Sequence, residues 1–238
     1  MFNTKIPLYG IMLLISISTG LFLIYKSLKK SKYKKDQIMA LMLYMFLGIV
    51  FGAKYFTYFT NFSRYKSNFN FMQIGFSSYG AVIGVIIVFV LYSKQFKKSF
   101  MELLLIMLPP IPLMYAIGKI GCFFAGCCYG IEYNGIFNIV YKYSVSAPNN
   151  VKLFPVQLAE AIVFILIFVF IQIMKNKVSS KIIPLTFVLC GISKFLLDYL
   201  RSSHVNVILS VNQIVSIVFI IIGVFFFIKK PYKPIKKL

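Results

Sequence analysis

The sequence predicts an all-α polytopic membrane protein, and three observations carry that prediction. Hydrophobic residues make up 60% of its 238 positions, with a mean hydropathy of +0.85, beyond the roughly 45–50% apolar content of soluble domains. Apolar runs of about twenty residues recur along the chain, the length a helix needs to cross about 30 Å of hydrocarbon. The runs are continuous and do not alternate with period two, which argues against a membrane β-barrel.

Seven spans are predicted, with the N-terminus outside and the C-terminus cytoplasmic. The first, Ile6–Tyr25, lacks a small-residue cleavage site and is followed by the lysine-dense KSLKKSKYKK, so it reads as a retained helix and not as a signal peptide. The second, Ile38–Tyr58, and the third, Ile74–Tyr92, carry the small-xxx-small pairs Gly48/Gly52 and Gly80/Gly84, the mark of closely packed membrane helices. The fourth, Phe100–Phe123, is broken by Pro109, Pro110 and Pro112. Such a break at membrane depth survives only where protein or a water-filled cavity covers the freed backbone. The connection 130–154 holds the turn signals EYNG and APNN and is expected to carry a small surface element or a lid. Pro155–Met174, Ile182–Leu200 and Val207–Ile228 complete the set. No internal repeat stands out, so the inverted-repeat plan of many transporters is not indicated.

The net charge of +21 does not point to nucleic acid, because its positions explain it. Of the 26 Lys and Arg residues, 17 fall in the loops after spans one, three and five and in the tail 229–238. Six fall in the alternate segments, and Lys54, Lys119 and Lys194 lie within spans. Basic residues accumulate on the cytoplasmic side, which places the tail and those loops inside and the 130–154 connection outside.

Ionisable residues within membrane spans cost several kcal/mol on insertion scales, and are functional candidates by default. Lys54, Lys119, Glu160, Lys194 and Asp198 all fall in the outer halves of their spans, with Arg201 at the end of span six. Lys194, Asp198 and Arg201 follow at i, i+4 and i+7 and can share one helix face. Glu102, near the inner end of span four, reads as a helix cap or a snorkelling group. Three lysines, an arginine and two carboxylates at one depth leave positive charge in excess, which suits an anionic group such as a lipid phosphate. The competing reading is that each lysine snorkels to the interface on its own. For Lys54 the two readings weigh equally; for Lys119 and Lys194, each beside small residues, the functional one is preferred. Tyr79, before Gly80, reaches the same depth.

The segment GKIGCFFAGCCYG, residues 118–130, holds Cys122, Cys127 and Cys128, and Cys190 precedes Lys194 by one turn. Four roles stand open for these thiols. Small packing residues or a disulfide on the oxidising side rank first, and a nucleophile with a thiol pKa lowered by lysine ranks next. A metal site ranks last, because C-x4-C-C is not a zinc spacing and the sole histidine, His204, lies in a loop. No metal and no cofactor are expected.

The same segment resembles the signature of bacterial prolipoprotein diacylglyceryl transferases, G-R-[IV]-G-N-F-[IL]-N-x-E-x-[YW]-G. The resemblance continues in order along the chain. Tyr9-Gly10 resembles the family's Tyr-Gly, and GIVFGAKYFTYF resembles G-x-x-x-G-[AG]-R-x-x-Y. GFSSYGAVIGV resembles an aromatic-His-Gly-Gly-Leu segment, LFPVQLAEA resembles His-Pro-x-Gln-Leu-Tyr-Glu, and GISKFLLDYLR resembles G-x-x-R-[FI]-x-[IV]-E-x-[FW]-R. The chain departs from these patterns at named places. Lys54, Lys119 and Lys194 stand for arginine, Tyr79 for histidine, Cys122 and Cys127 for asparagine and glutamate, Ala125 for asparagine, and Asp198 for glutamate. Arg201, Glu160, Gln157, Pro155 and Gly130 match.

The resemblance implies one integral membrane transferase domain over 1–238, in the bacterial cytoplasmic membrane, with its site facing outward. It implies transfer of a diacylglyceryl group from phosphatidylglycerol to the lipobox cysteine of preprolipoprotein signal peptides, among membrane lipids and without nucleic acid. On this reading Lys119, Lys194 and Arg201 hold the phosphate, with Tyr9, Gly130 and Lys54 lining the substrate site. Tyr79 and Glu160 position or relay the acceptor's proton, and Cys122 and Cys127 take the places of polar catalytic neighbours. The alternative expectation is a divergent lipid-binding paralogue, with another acceptor, a covalent cysteine intermediate or no catalysis.

Overall fold

The computed structural model describes residues 8–229 apart from 32, 67–69, 72, 73, 76, 176 and 206. The expected basic tail, apart from Lys229, and the first residues of span one lie outside the described residues. Nine α-helices are described: α1 Leu8–Lys30, α2 Lys35–Thr60, α3 Phe62–Tyr65, α4 Ser78–Gln95, α5 Phe100–Met107, α6 Ile111–Ala125, α7 Val156–Lys175, α8 Ile182–Asp198 and α9 Val211–Ile228. Of these, α1, α2, α7 and α9 are each long and apolar enough to cross a membrane, and α5 with α6 makes a fifth if the bent pair is one span. The chain is thus a polytopic all-α membrane protein.

The chain divides into two compact units, one of residues 25–106 and one of residues 1–24 with 107–238. In the first, α2 and α4 pack through the predicted glycines. A Cβ on Gly84 would stand 2.0 Å from the Gly48 carbonyl oxygen, and one on Gly52 would stand 2.4 Å from that of Gly80. Only glycine lets two helix backbones meet this closely. The start of α2 and the end of α4 are joined by Tyr92, fully buried, whose hydroxyl donates to the Gln37 carbonyl at 3.0 Å. The α4 helix begins later than the predicted Ile74, at Ser78, because the Ser77 hydroxyl accepts from the Gly80 amide at 3.4 Å and caps it.

In the second unit α6, α7, α8 and α9 pack as successive neighbours. The Ser16 hydroxyl ties α1 to the Met114 carbonyl of α6 at 2.7 Å. The predicted proline break lies at 108–110, between α5 and α6, with Pro112 inside the first turn of α6, where a missing N–H costs nothing. The last helix starts at Val211 and not at the expected Val207. Ser210 and Gln213 form a capping box, each side-chain oxygen accepting from the other's backbone N–H at 3.1 Å.

The 130–154 connection does carry a small surface element. Strands β1, Ile139–Val140, and β2, Lys152–Leu153, pair antiparallel with Ile139 opposite Leu153. The connection is pinned to the end of α6 by the Tyr141 hydroxyl, which donates to the Phe123 carbonyl at 2.9 Å.

Candidate functional site

Where α6, α7 and α8 meet, five ionised side chains form one buried network. Glu160 of α7 is fully buried, and both its oxygens are taken by ammonium groups. Lys119 of α6 lies 2.5 Å from Oε2, and Lys194 of α8 pairs with Oε1. Tyr115 lies one turn before Lys119; its hydroxyl points to Glu160 Oε2 at 3.4 Å. Both ammonium groups also lie over the Tyr115 ring, at 5.2 and 5.7 Å from its centroid. The negative face of the ring favours cations there.

Asp198 holds the far side of the network. It too is fully buried. Its Oδ1 lies 3.8 Å from Lys194 Nζ and 3.4 Å from Arg201 Nη1, as the predicted shared helix face requires. Asn212 donates to Oδ1 at 3.0 Å, and the Ser210 hydroxyl donates to Oδ2. Three cations therefore surround two carboxylates, leaving a net positive, largely desolvated group. The sequence reading missed Tyr115, Ser210 and Asn212. Tyr115 had a signal, its i−4 spacing from Lys119. Ser210 had another, the S-x-x-Q capping pattern before an apolar run. Asn212 had none.

Gly130 explains how Arg201 is held beside this network. Residues 129–133 run as an extended segment between the end of α8 and the start of α7. Ile131 N–H donates to Leu200 O at 3.0 Å, Phe154 N–H to Ile131 O at 2.9 Å, and Ser202 N–H to Tyr129 O at 3.2 Å. A Cβ on Gly130 would lie 2.3 Å from Phe154 O and 3.0 Å from Leu200 O, so only glycine fits between these backbones. Two buried polar atoms here have no hydrogen-bond partner among the described residues: Gln157 Oε1, whose amide donates to Cys127 O at 2.9 Å, and Arg201 Nε.

The cysteines cluster at the end of α6. Gly126, at φ 68°, ends the helix in a left-handed turn, and Cys127 N–H returns to Cys122 O at 3.1 Å. Cys128 is itself left-handed at φ 54°, a conformation costly for a residue with a Cβ. The three sulfurs lie within 4.8 Å of one another, and all four cysteines are free thiols. Tyr9 of α1 abuts the same helix, its ring edge 3.6 Å from where a Gly121 Cβ would stand.

Two expected site residues belong to the other unit. The Lys54 ammonium donates to the carbonyls of Phe71 at 2.7 Å and Ile74 at 3.0 Å, and sits over the Phe71 ring. Tyr79 lies in the first turn of α4, 38% exposed.

The profile of the family described as prolipoprotein diacylglyceryl transferase matches residues 1–229. The chain is 30% identical over 234 residues to a phosphatidylglycerol–prolipoprotein diacylglyceryl transferase of Clostridium tetani, covering 95% of this chain and 94% of the relative. It is 29% identical to a Clostridium perfringens protein, phosphatidylglycerol–prolipoprotein diacylglyceryl transferase 2, over 93% and 90% of the two chains. A Finegoldia magna relative bearing the transferase name is 28% identical over 99% and 95%. With its motifs in the family's order and its charged residues gathered at one helix junction, this chain belongs to the prolipoprotein diacylglyceryl transferase family.

Proposed function

We propose that this chain transfers a diacylglyceryl group from phosphatidylglycerol to the lipobox cysteine of preprolipoprotein signal peptides. It would do so at the outer face of the bacterial cytoplasmic membrane. Seven spans with the N-terminus outside and the tail inside accord with the lysine distribution and place the 130–154 connection on the outer side. The observation that carries the reading is the charge excess at the α6–α7–α8 junction, Lys119, Lys194 and Arg201 against Glu160 and Asp198.

A buried group with one uncompensated positive charge is costly by itself and becomes favourable when an anion completes it. The lipid phosphate supplies that anion. Lys119 and Lys194 hold its oxygens, with Glu160 as the counter-ion that aims both ammonium groups. Arg201 Nε, buried without a hydrogen-bond partner among the described residues, donates to a third oxygen. Gln157 Oε1 accepts from a hydroxyl of the glycerol headgroup. The acceptor thiol attacks the glyceryl carbon that bears the phosphate. A sulfur–carbon bond forms, the carbon–oxygen bond to phosphate breaks, and glycerol phosphate leaves as the thiol proton is released. The cations stabilise the charge on the departing phosphate, and such preorganised donors are worth the most where water is excluded. Tyr9 and Gly130 shape the lipid site.

The test is complementation. The chain is expressed in cells depleted of their own transferase together with a lipobox substrate, whose mass is then read. A gain of one diacylglyceryl group is expected. A correctly inserted protein that gives no gain rejects the proposal.

A further inference from the structure

The phosphate-holding cations leave the three thiols at the end of α6 without a task. Their placement is specific. The left-handed turns at Gly126 and Cys128 fold residues 127 and 128 back over Cys122. The extended segment after them is clamped by Leu200, Ser202 and Phe154, which holds the costly conformation of Cys128 in place. That turn brings together sulfurs that the spacing C-x4-C-C does not itself announce.

The geometry suits a soft ion. Zinc–thiolate bonds of about 2.3 Å in a tetrahedral site put the sulfurs about 3.8 Å apart. The three sulfurs here, all within 4.8 Å of one another, need a contraction of at most about 1 Å to reach that spacing. Thiolates select thiophilic ions over magnesium or calcium, which take oxygen ligands. Cys122 is 9% exposed, while Cys127 and Cys128 are half-buried, so the latter two keep surface through which an ion can reach the cluster. His204 does not join the cluster, whose ligand atoms are the three sulfurs alone. Among the described residues the cluster therefore offers three ligands and leaves a fourth position open, the arrangement of catalytic zinc sites.

We propose that Cys122, Cys127 and Cys128 form a trithiolate site for a zinc-class ion, whose open position takes the thiol that accepts the lipid group. The second half rests on the transfer reading above. Lys119 lies on the same helix three residues before Cys122, about 4.5 Å along its axis, so a thiol bound there stands next to the lipid phosphate. Binding releases the thiol proton to solvent and leaves a metal thiolate that stays nucleophilic at neutral pH. Its sulfur electron pair forms the bond to the glyceryl carbon, and the carbon–oxygen pair leaves with glycerol phosphate. The product thioether, a weaker ligand, then dissociates. Nothing is oxidised or reduced.

The test uses the full-length chain in detergent micelles, with thiols reduced, titrated with cobalt(II) chloride. Thiolate-to-cobalt charge-transfer bands should rise to one ion per chain and fall when zinc is added. C122S, C127S and C128S should each lose the bands while eluting as the parent chain does, and C190S should keep them. A cysteine-containing lipobox peptide should then shift the cobalt ligand-field bands, and its alanine counterpart should not. Absent bands with titratable thiols, bands that survive the triple serine variant, or a disulfide among the three under these conditions overturn the site. Bands that the cysteine peptide leaves unmoved overturn the acceptor role. Normal bands in a chain that gives no diacylglyceryl gain would reject the transfer reading and leave the ion site standing.

Discussion

Lys54 and the Lys119–Lys194 pair occupy positions where the family pattern has arginine, yet their surroundings solve the buried-charge problem differently. Lys54 is neutralised by dipoles. Two carbonyls of the following loop accept its protons and the Phe71 ring covers it. Nothing in that arrangement calls for a further anion, and its effect is to tie Phe71 and Ile74 to α2. Lys119 and Lys194 instead divide one fully buried carboxylate between them, and Arg201 adds a further charge. A pair of cations on one carboxylate is left wanting an anion; an ammonium on two carbonyls is not. The same substitution, arginine to lysine, is therefore expected to matter for chemistry in one region and for loop order in the other.

Glu160→Gln should break the comparison hardest. It removes the charge that both ammonium groups face, and unpairing a buried ion pair costs about 3–5 kcal/mol. Thermal unfolding in detergent should show that loss, and transfer should fall below detection. A variant that unfolds like the parent would mean the two lysines are already neutralised by something other than Glu160. Next in size, Lys119→Ala and Lys194→Ala should each lower the transfer rate by about 10²–10³-fold, as loss of one preorganised oxyanion donor does. Lys119→Arg keeps the charge and gains a second donor for phosphate, so it should retain far more activity than the alanine variant. Equal losses for Ala and Arg, measured against phosphatidylglycerol concentration, would mean that shape and not charge decides at this position.

Lys54→Met should show the other side of the contrast. Two charge-assisted hydrogen bonds disappear, each worth roughly 1.5–3 kcal/mol, and the chain beside Phe71 and Ile74 should become sensitive to limited proteolysis. The transfer rate of the surviving folded fraction should fall less than tenfold. A loss as large as that of Lys119→Ala would place Lys54 on the substrate after all.

These contrasts also show what the sequence could and could not disclose. The glycine seam of α2 and α4 was legible because small residues at i, i+4 on two apolar helices have one common use. The i, i+4, i+7 face of Lys194, Asp198 and Arg201 was legible for the same reason, since helix periodicity fixes who neighbours whom. What periodicity cannot give is the partner on another helix. That Glu160 faces both Lys119 and Lys194, and that Asn212 reaches back to Asp198, follow only from how α6 to α9 pack. The thiol cluster depends on two left-handed residues, and Cys128 is a poor advertisement for that conformation. The sequence leaves Lys54 evenly balanced between snorkelling and function because its carbonyl partners belong to a loop, where no pattern marks which oxygens point inward.

The smallest expected effect tests the edge of the charged region. Ser210 has two duties: its oxygen caps α9 by accepting from Gln213 N–H, and its hydroxyl donates to Asp198 Oδ2. Ser210→Ala loses both, and a lost N-cap alone costs about 1 kcal/mol. Ser210→Asp separates the two duties. Aspartate is as good a cap as serine, but here it would set a second carboxylate against one that is already fully buried. If capping were the whole role, the aspartate variant would melt like the parent chain. If Asp198 depends on the hydroxyl, the order of melting temperatures should be serine, then alanine, then aspartate. The aspartate variant should also bind phosphatidylglycerol more weakly, because a third carboxylate cancels the positive excess that draws the phosphate in.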